Sequence, residues 1–217
     1  MRVVTMLHVE GELDASRHAA IERAVTRAAE AVAGVRRSHL GRHYPDTVGG
    51  GQYTWDVSFD GRDPAALHHA PSLLQLVGDG SLRLDTVAFE RQHLSVPEPD
   101  IRDCVKRTLL LRVLPDTPRE AVERFERDML GMPRYIDAIR NWAFSRADPE
   151  LHPTPWTHVW EQEYRELRGL QEDYMLSPYH WGLVDGWYDP ESPQRIVDTN
   201  LAHVYCPAAT TILGWEA

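Results

Sequence analysis

The chain has 217 residues, which is enough for one large or two small domains with a buried core. Its composition, 42% apolar and 26% charged, is ordinary for a globular protein, and its net charge of -10 argues against nucleic acid or an anionic membrane as a partner. Two cysteines without a CxxC pair, no signal-peptide pattern and no apolar run of about 18 residues predict a cytoplasmic protein.

The first unit, predicted over residues 1–98, shows the element order βαββαβ. A helix is expected from an N-cap at Asp14 to Ala33, with Gly34 as its stop. Alternating and β-branched residues predict the strands, and apolar spacing predicts a second, short helix. The strands are expected at 3–9, 35–42, 53–59 and 82–89, and the short helix at 64–77.

The second unit, predicted over residues 104–217, repeats the same order. Its first helix is expected to begin at a capping box formed by Thr117 and Glu120, with Pro118 at the first helical position. The remaining elements follow from periodicity. They are strands at 108–114, 136–146, 156–164 and 196–205 and a second helix at 166–176.

The two halves can be aligned by eye, which indicates a tandem duplication. The matching positions are Arg2 with Arg107, Trp55 with Trp160, Phe59 with Tyr164, and Asp85-Thr86 with Asp198-Thr199. A βαββαβ unit is a ferredoxin-like antiparallel sheet with two helices on one face, and its bare face must be covered. We therefore predict an α+β fold in which two ferredoxin-like units dock as an α/β barrel within one chain. Further homodimerisation is left open.

One stretch carries candidate chemistry, the sequence QEDYMLSPYHWGLVDGWYD at 171–189. The proline after Ser177 disfavours helical geometry there, so Tyr174 and His180 can turn toward one space. His158, in a strand-like run, is a third candidate. A histidine beside a phenol can do acid/base work near neutral pH. The alternative, that these residues fill the edge of a core, stays open.

The second half resembles the stress-responsive A/B-barrel (Dabb) family of dimeric α/β barrels. The matching segments, within 107–207, are RTLLLRVLPDT, THVWEQEY, YMLSPYHWGLVDGW and VDTNLAHVY. The resemblance extends to polyketide cyclases of the olivetolic acid cyclase type, which close poly-β-ketones by aldol condensation without metal or organic cofactor. Tyr174 and His180 match their Y-x5-H pair, and Thr157-His158 matches a pocket histidine. Thr108 and Ser177 stand where those cyclases have further histidines.

The resemblance implies roles for these residues, with no cofactor and no metal. His180 would be the general base, Tyr174 would stabilise the enolate, and His158 would orient substrate or move a proton. The first half has Leu67, Leu73 and Tyr53 at the matching positions, so one active site per chain is expected. Contacts to a flat polyketide-like or aromatic substrate are expected from Trp160, Trp181, Trp187, Thr108 and Ser177, although core packing explains the tryptophans equally well.

The leading prediction is a cofactor-free cyclase, or a related lyase or isomerase, acting on a polyketide-like substrate. Two alternatives remain: a cofactor-free oxygenase on the same scaffold, in which the same base forms an enolate that reacts with O₂, and a non-catalytic ligand-binding stress protein. His39 and His43 have a spacing that binds metal on a helix, but on a strand they lie too far apart to share an ion.

Overall fold

The structure is a computed structural model that describes residues 1–61 and 63–216. The first half forms four strands and two helices: β1 (Arg2–Val9), α1 (Ala15–Ala31), β2 (Val35–Arg42), β3 (Tyr53–Phe59), α2 (Pro71–Gly78) and β4 (Leu82–Phe89). The remaining strands and the third helix are β5 (His93–Ser95), β6 (Arg102–Leu111), α3 (Arg119–Tyr135), β7 (Asn141–Arg146), β8 (His158–Tyr164) and β9 (Ala202–Thr210). None of the helices in the described ranges is long and apolar enough to cross a membrane.

Two antiparallel sheets organise the chain. The first has the order β2-β3-β1-β4, and the second has the order β5-β7-β8-β6-β9, so its last four strands repeat the first sheet. Apolar side chains from both sheets, among them Val4, Leu110 and Val204, pack together in a core of their own. The predicted α+β fold of two ferredoxin-like units is confirmed. The division at 98–104 stays a prediction, and β5, which precedes it, pairs with β7 of the second sheet.

Several predicted boundaries were wrong in the second half. Strand β6 begins at Arg102 rather than at 108, and β9 covers Ala202–Thr210 rather than 196–205. Val197, within the predicted range, is buried in the core but forms only an isolated β-bridge with Val113. The predicted capping box is absent, because Pro118 is the N-cap and the Thr117 hydroxyl donates instead to the Leu114 carbonyl.

The strand register corrects the alignment of the two halves. Trp55 lies opposite Thr5, whereas Trp160 lies opposite Leu109, so Arg2 corresponds to Lys106 and not to Arg107. Because neighbouring strand residues point to opposite faces, this one-residue difference decides which side of the sheet an arginine occupies. By the same register, Asp85 of the first half occupies the position equivalent to Ala202 of the second half. The predicted match of Asp85-Thr86 to Asp198-Thr199 was therefore also wrong.

Charged side chains lie buried between the two sheets. Arg2 Nη2 and Lys106 Nζ lie 3.0 and 2.9 Å from the same oxygen of Asp56. Lys106 is also 3.2 Å from Glu161, whose other oxygen is 3.3 Å from Arg91. Burial works to raise the pKa of the Glu161 carboxyl, but Lys106 and the two arginines lower it to about 2. One cation and one anion from each half therefore form a buried ion-pair cluster between the sheets, and Arg91 forms a further ion pair with it.

Candidate active site

A cavity of about 290 Å³ opens on the helix side of the second sheet. It has apolar walls and a small number of polar groups, as is usual for small-molecule sites. Two of its lining residues, Val48 and Met175, are substantially exposed and mark its opening. The lining residues are Val48, Arg107, Leu109, Tyr174, Met175, His180, Val184, Asp185, Tyr188, Leu201 and His203.

Two short π-helical segments bring Tyr174 and His180 to this cavity. Tyr174 ends the segment Gly169–Tyr174, and His180 begins the segment His180–Val184. The break between them lies at the predicted place, because the Ser177 amide donates to the Tyr174 carbonyl and the chain turns there. The stretch after the break is helical, with a π-helical segment at His180–Val184 and a 3₁₀ turn at Asp185–Trp187. The two rings lie 4.5 Å apart between centroids, and both residues are buried.

Arg107 supplies a positive charge to the same site. It belongs to β6, is 3% exposed, and donates from Nη1 to the Tyr174 hydroxyl oxygen at 3.2 Å and to Gln162 Oε1. Its guanidinium carbon is 4.8 Å from the centre of the Tyr174 ring. The Tyr174 hydroxyl in turn points its proton toward Met132 Sδ at 3.4 Å, a weak acceptor. A substrate oxygen can therefore replace Met132 as the acceptor of this hydrogen bond at little cost in free energy.

His180 is a neutral imidazole at ordinary pH. Burial, followed by the nearby Arg107 charge, lowers its pKa to about 4. Its Nδ1 lies 3.4 Å from Asp185 Oδ1, without a hydrogen bond between them. The Asp185 pKa is raised by partial burial and by Asp189. His180 is thus free to accept a proton from a bound molecule.

His203, on β9, is a further cavity residue that the sequence analysis missed. Burial, Arg107 and His180 lower its pKa to about 3. Its Nε2 is buried and has no hydrogen-bond partner within the described part of the chain. Strand alternation gave a usable signal, because His203 lies within the predicted strand 196–205 and alternates with Tyr205 along β9. Arg107 was aligned with Arg2 and was not among the candidate site residues.

His158 lies outside this cavity. Its Nε2 is 3.0 Å from Glu126 Oε1, its Nδ1 is 2.8 Å from the Thr157 hydroxyl, and its ring stacks on Phe144. The Phe125 ring contacts both His158 and Tyr188 and so lies between His158 and the cavity. The imidazole borders a separate cleft beside Arg146. The structure does not bring this third candidate to Tyr174 and His180.

None of the five expected substrate contacts lines the cavity. Trp160 and Trp187 are core residues, and the Trp187 indole N–H donates to Asp128. Trp181 is 61% exposed, and Ser177 lines a different surface pocket. Thr108 faces the space between the sheets, where its hydroxyl accepts a hydrogen bond from Lys106.

The first half has apolar side chains where the second half has Tyr174 and His180. Leu67 and Leu73 are fully buried in the core between the first sheet and its helices. The strand register places Tyr53 at the position of His158, as the sequence analysis expected. Within residues 1–61 and 63–216, no three His, Cys, Asp or Glu side chains are grouped so that they could hold a metal ion.

Residues 105–199 match the family model of the stress responsive A/B barrel domain, Dabb. The second half of the chain is therefore similar to a Dabb domain. The predicted resemblance is confirmed for that half, and the matched range contains Arg107, Tyr174 and His180 of the cavity but not His203. No curated protein sequence matches the chain.

Solved structures similar to the whole chain extend the likeness beyond the Dabb range. A candidate monooxygenase from Lactobacillus acidophilus is 12% identical, with 97% of each chain covered and a TM-score of 0.51. An anthrone oxidase-like protein is 12% identical (95% of this chain, 90% of the other, TM-score 0.57). A chlorite dismutase variant from Candidatus Nitrospira defluvii is 8% identical (98% and 92%, TM-score 0.58). At these identities the likeness shows the shared fold alone.

Proposed function

We propose that the chain is a cofactor-independent enzyme that removes a proton from a carbon between two carbonyl groups and closes a ring by aldol addition. Its substrate would be a polyketide-like or aromatic precursor. One observation carries the proposal: a neutral imidazole and a phenol lie 4.5 Å apart beside a buried guanidinium, in a cavity with apolar walls. This pairing of a base with groups that stabilise negative charge is what enolate chemistry requires.

The reaction divides between two groups. His180 takes the proton from the acidic carbon, and the electron pair left behind moves onto the neighbouring carbonyl oxygen. Tyr174 donates a hydrogen bond to that oxygen as its negative charge develops. The enolate carbon then attacks a second carbonyl of the same molecule, and the resulting alkoxide takes the proton back from His180. No proton or electron is left over.

Arg107 strengthens the Tyr174 contact. A cation that donates to the phenol oxygen makes the phenol a better hydrogen-bond donor, and the low dielectric of the buried site increases the effect. His203 adds a second neutral imidazole that can hold a carbonyl oxygen. His158 has no part in this proposal, because Glu126 and Thr157 already engage both of its nitrogens.

An oxygenase is the second candidate. The same base would form an enolate or phenolate that reacts directly with O₂, without a cofactor. The candidate monooxygenase and the anthrone oxidase-like protein among the structural neighbours make this alternative worth testing. Dependence on oxygen separates it from the cyclase.

The test compares turnover of linear 3,5-dioxo thioesters and hydroxyaryl ketones in air and under argon. We expect an oxygen-independent ring product from the wild type and about 10²–10⁴-fold less from His180→Gln and from Tyr174→Phe. His158→Gln and Tyr179→Phe are matched controls outside the cavity and should retain activity, with folding checked by circular dichroism.

Other outcomes redirect the assignment. A product that both active-site changes abolish but that forms only in air indicates the oxygenase. Turnover that survives both changes overturns the site. Binding of these compounds without turnover by any variant indicates a ligand-binding protein.

A further inference from the structure

One loop of the first half lies on the second half. Residues 43–52, here called the crossing loop, connect β2 to β3. The Val48 amide donates to the His203 carbonyl at 2.9 Å, and the His203 amide donates to the Val48 carbonyl at 2.8 Å. The Tyr44 amide donates to the Tyr205 carbonyl, and the Tyr205 hydroxyl donates to the Pro45 carbonyl, both at 3.0 Å. The crossing loop is thus fixed along β9.

Glycines allow this close approach. Gly49 has a φ of 77°, and a Cβ there would clash with the Leu201 carbonyl oxygen. A Cβ on Gly50 would clash with the Val204 side chain. Glycine at these two positions is therefore required for the loop to pack against the β9 side of the second sheet.

Val48 brings this loop to the cavity. Its side chain lines the cavity beside Leu201 and His203 and is 60% exposed at the opening. A β-branched side chain has few rotamers, and its backbone is hydrogen-bonded on both sides. Val48 therefore forms a rigid apolar edge whose size can change without disturbing a packed core.

A loop of the second half also packs against the first half, but it does not border this cavity. In the connection between β7 and β8, the Asp148 amide donates to the Ala88 carbonyl and the Trp156 indole donates to Asp85. Leu151 of this connection packs against the first half's core, which also contains Leu67 and Leu73. One crossing connection helps fill a core, whereas the other borders an open cavity.

We propose that the crossing loop is the size-selecting wall of the cavity, and that Val48 limits how large an apolar substituent a bound β-dicarbonyl compound can carry. The inference rests on the proposed function, in that it takes this cavity as the substrate site. It adds that the first half, which lacks the reactive pair, selects the substrate for the second half.

Affinity for two diketones of different size tests the wall. The probes are 2,4-pentanedione and 1,3-diphenyl-1,3-propanedione, titrated calorimetrically against the intact chain. Val48→Trp should weaken binding of the diphenyl compound at least about tenfold more than that of pentanedione, and Val48→Ala should shift the ratio the other way. Val77→Trp is the matched control, because Val77 is an exposed valine on α2 of the first half and does not line the cavity.

The outcomes separate this inference from the proposed function. Suppose that the wild type binds the diketones and that the affinity ratio is the same in Val48→Trp, Val48→Ala and Val77→Trp. The size-selecting role of Val48 is then refuted, while the cavity remains the proposed substrate site. If the wild type binds neither diketone, the substrate site is refuted and the wall with it. If a changed ratio appears without turnover in any assay, the wall is supported and the catalytic proposal alone fails. Val48→Leu provides a second enlargement should the tryptophan disturb the loop.

Discussion

The two halves of this chain have the same strand order but use the helix side of their sheets differently. In the first half, Leu67 and Leu73 fill that space, with Leu151 packed against it from the other half. In the second half the matching stretch carries Tyr174 and His180, and a cavity remains open beside them. Because large apolar side chains and a cavity exclude one another, each half can serve only one of these purposes. The duplication thus gives a packed unit that supports an open one.

Between the sheets, by contrast, the halves are alike. Arg2 and Asp56 of the first half meet Lys106 and Glu161 of the second, and all four are at most 1% exposed. The strand register places these residues at corresponding positions. The difference between the halves is therefore confined to the helix side, and the following changes test that division.

The largest expected effect comes from making the second half resemble the first. His180→Leu introduces the residue type found at Leu73 and should lower turnover of the dioxo thioester by about 10²–10⁴-fold while the chain still folds. Leu73→Ala is the counterpart. It should lower the free energy of unfolding by about 2–5 kcal/mol without changing the rate per folded molecule. A Leu73→Ala enzyme that folds but is as inactive as His180→Leu would contradict the division of roles.

The buried charges should behave symmetrically. Lys106→Met removes a cation from the buried Asp56 and Glu161 carboxylates and should lower the free energy of unfolding, measured by urea denaturation, by about 3–5 kcal/mol; Arg2→Met should lower it by a similar amount. Arg36→Met provides the control, because Arg36 and Asp60 form an exposed pair, and such pairs contribute only about 0–1 kcal/mol. Equal costs for Lys106→Met and Arg36→Met would show that the buried cluster does not hold the sheets together.

Acid should affect both halves gradually. Burial is the main cause that lowers the pKa of His43 and His68 in the first half to about 4, of His180 to about 4 and of His203 to about 3. An unfolded histidine binds a proton near pH 6.5, so the contribution of these histidines to the free energy of unfolding should be fully present above that pH and be lost as the pH drops from about 6.5 to about 3. His203→Gln should reduce the slope of the free energy of unfolding against pH. Urea titrations at several pH values measure it, and a stability independent of pH over this range would rule out buried neutral histidines.

Part of this architecture was readable from the sequence alone. Strands β2, β3 and β4 begin and end where alternation predicted them, and Asp14 caps α1 through the Arg17 amide. The helical break between Tyr174 and His180 lies at Ser177, directly before the proline, as the sequence indicated. These features depend on local backbone preferences and on periods of two or 3.6 residues, which neighbouring residues in the chain specify by themselves.

Only the tertiary structure decided which side chains share the cavity. Arg107 and Thr108 are adjacent in sequence, yet the register of β6 against β8 puts Arg107 beside Tyr174 and Thr108 between the sheets. His203 and Val48 meet because a loop of the first half pairs with β9. Register and loop contacts join residues far apart in the chain, and a shift of one residue reverses every face. The sequence therefore determined the repeated elements and the candidate pair Tyr174 and His180, whereas long-range pairing determined the cavity around them.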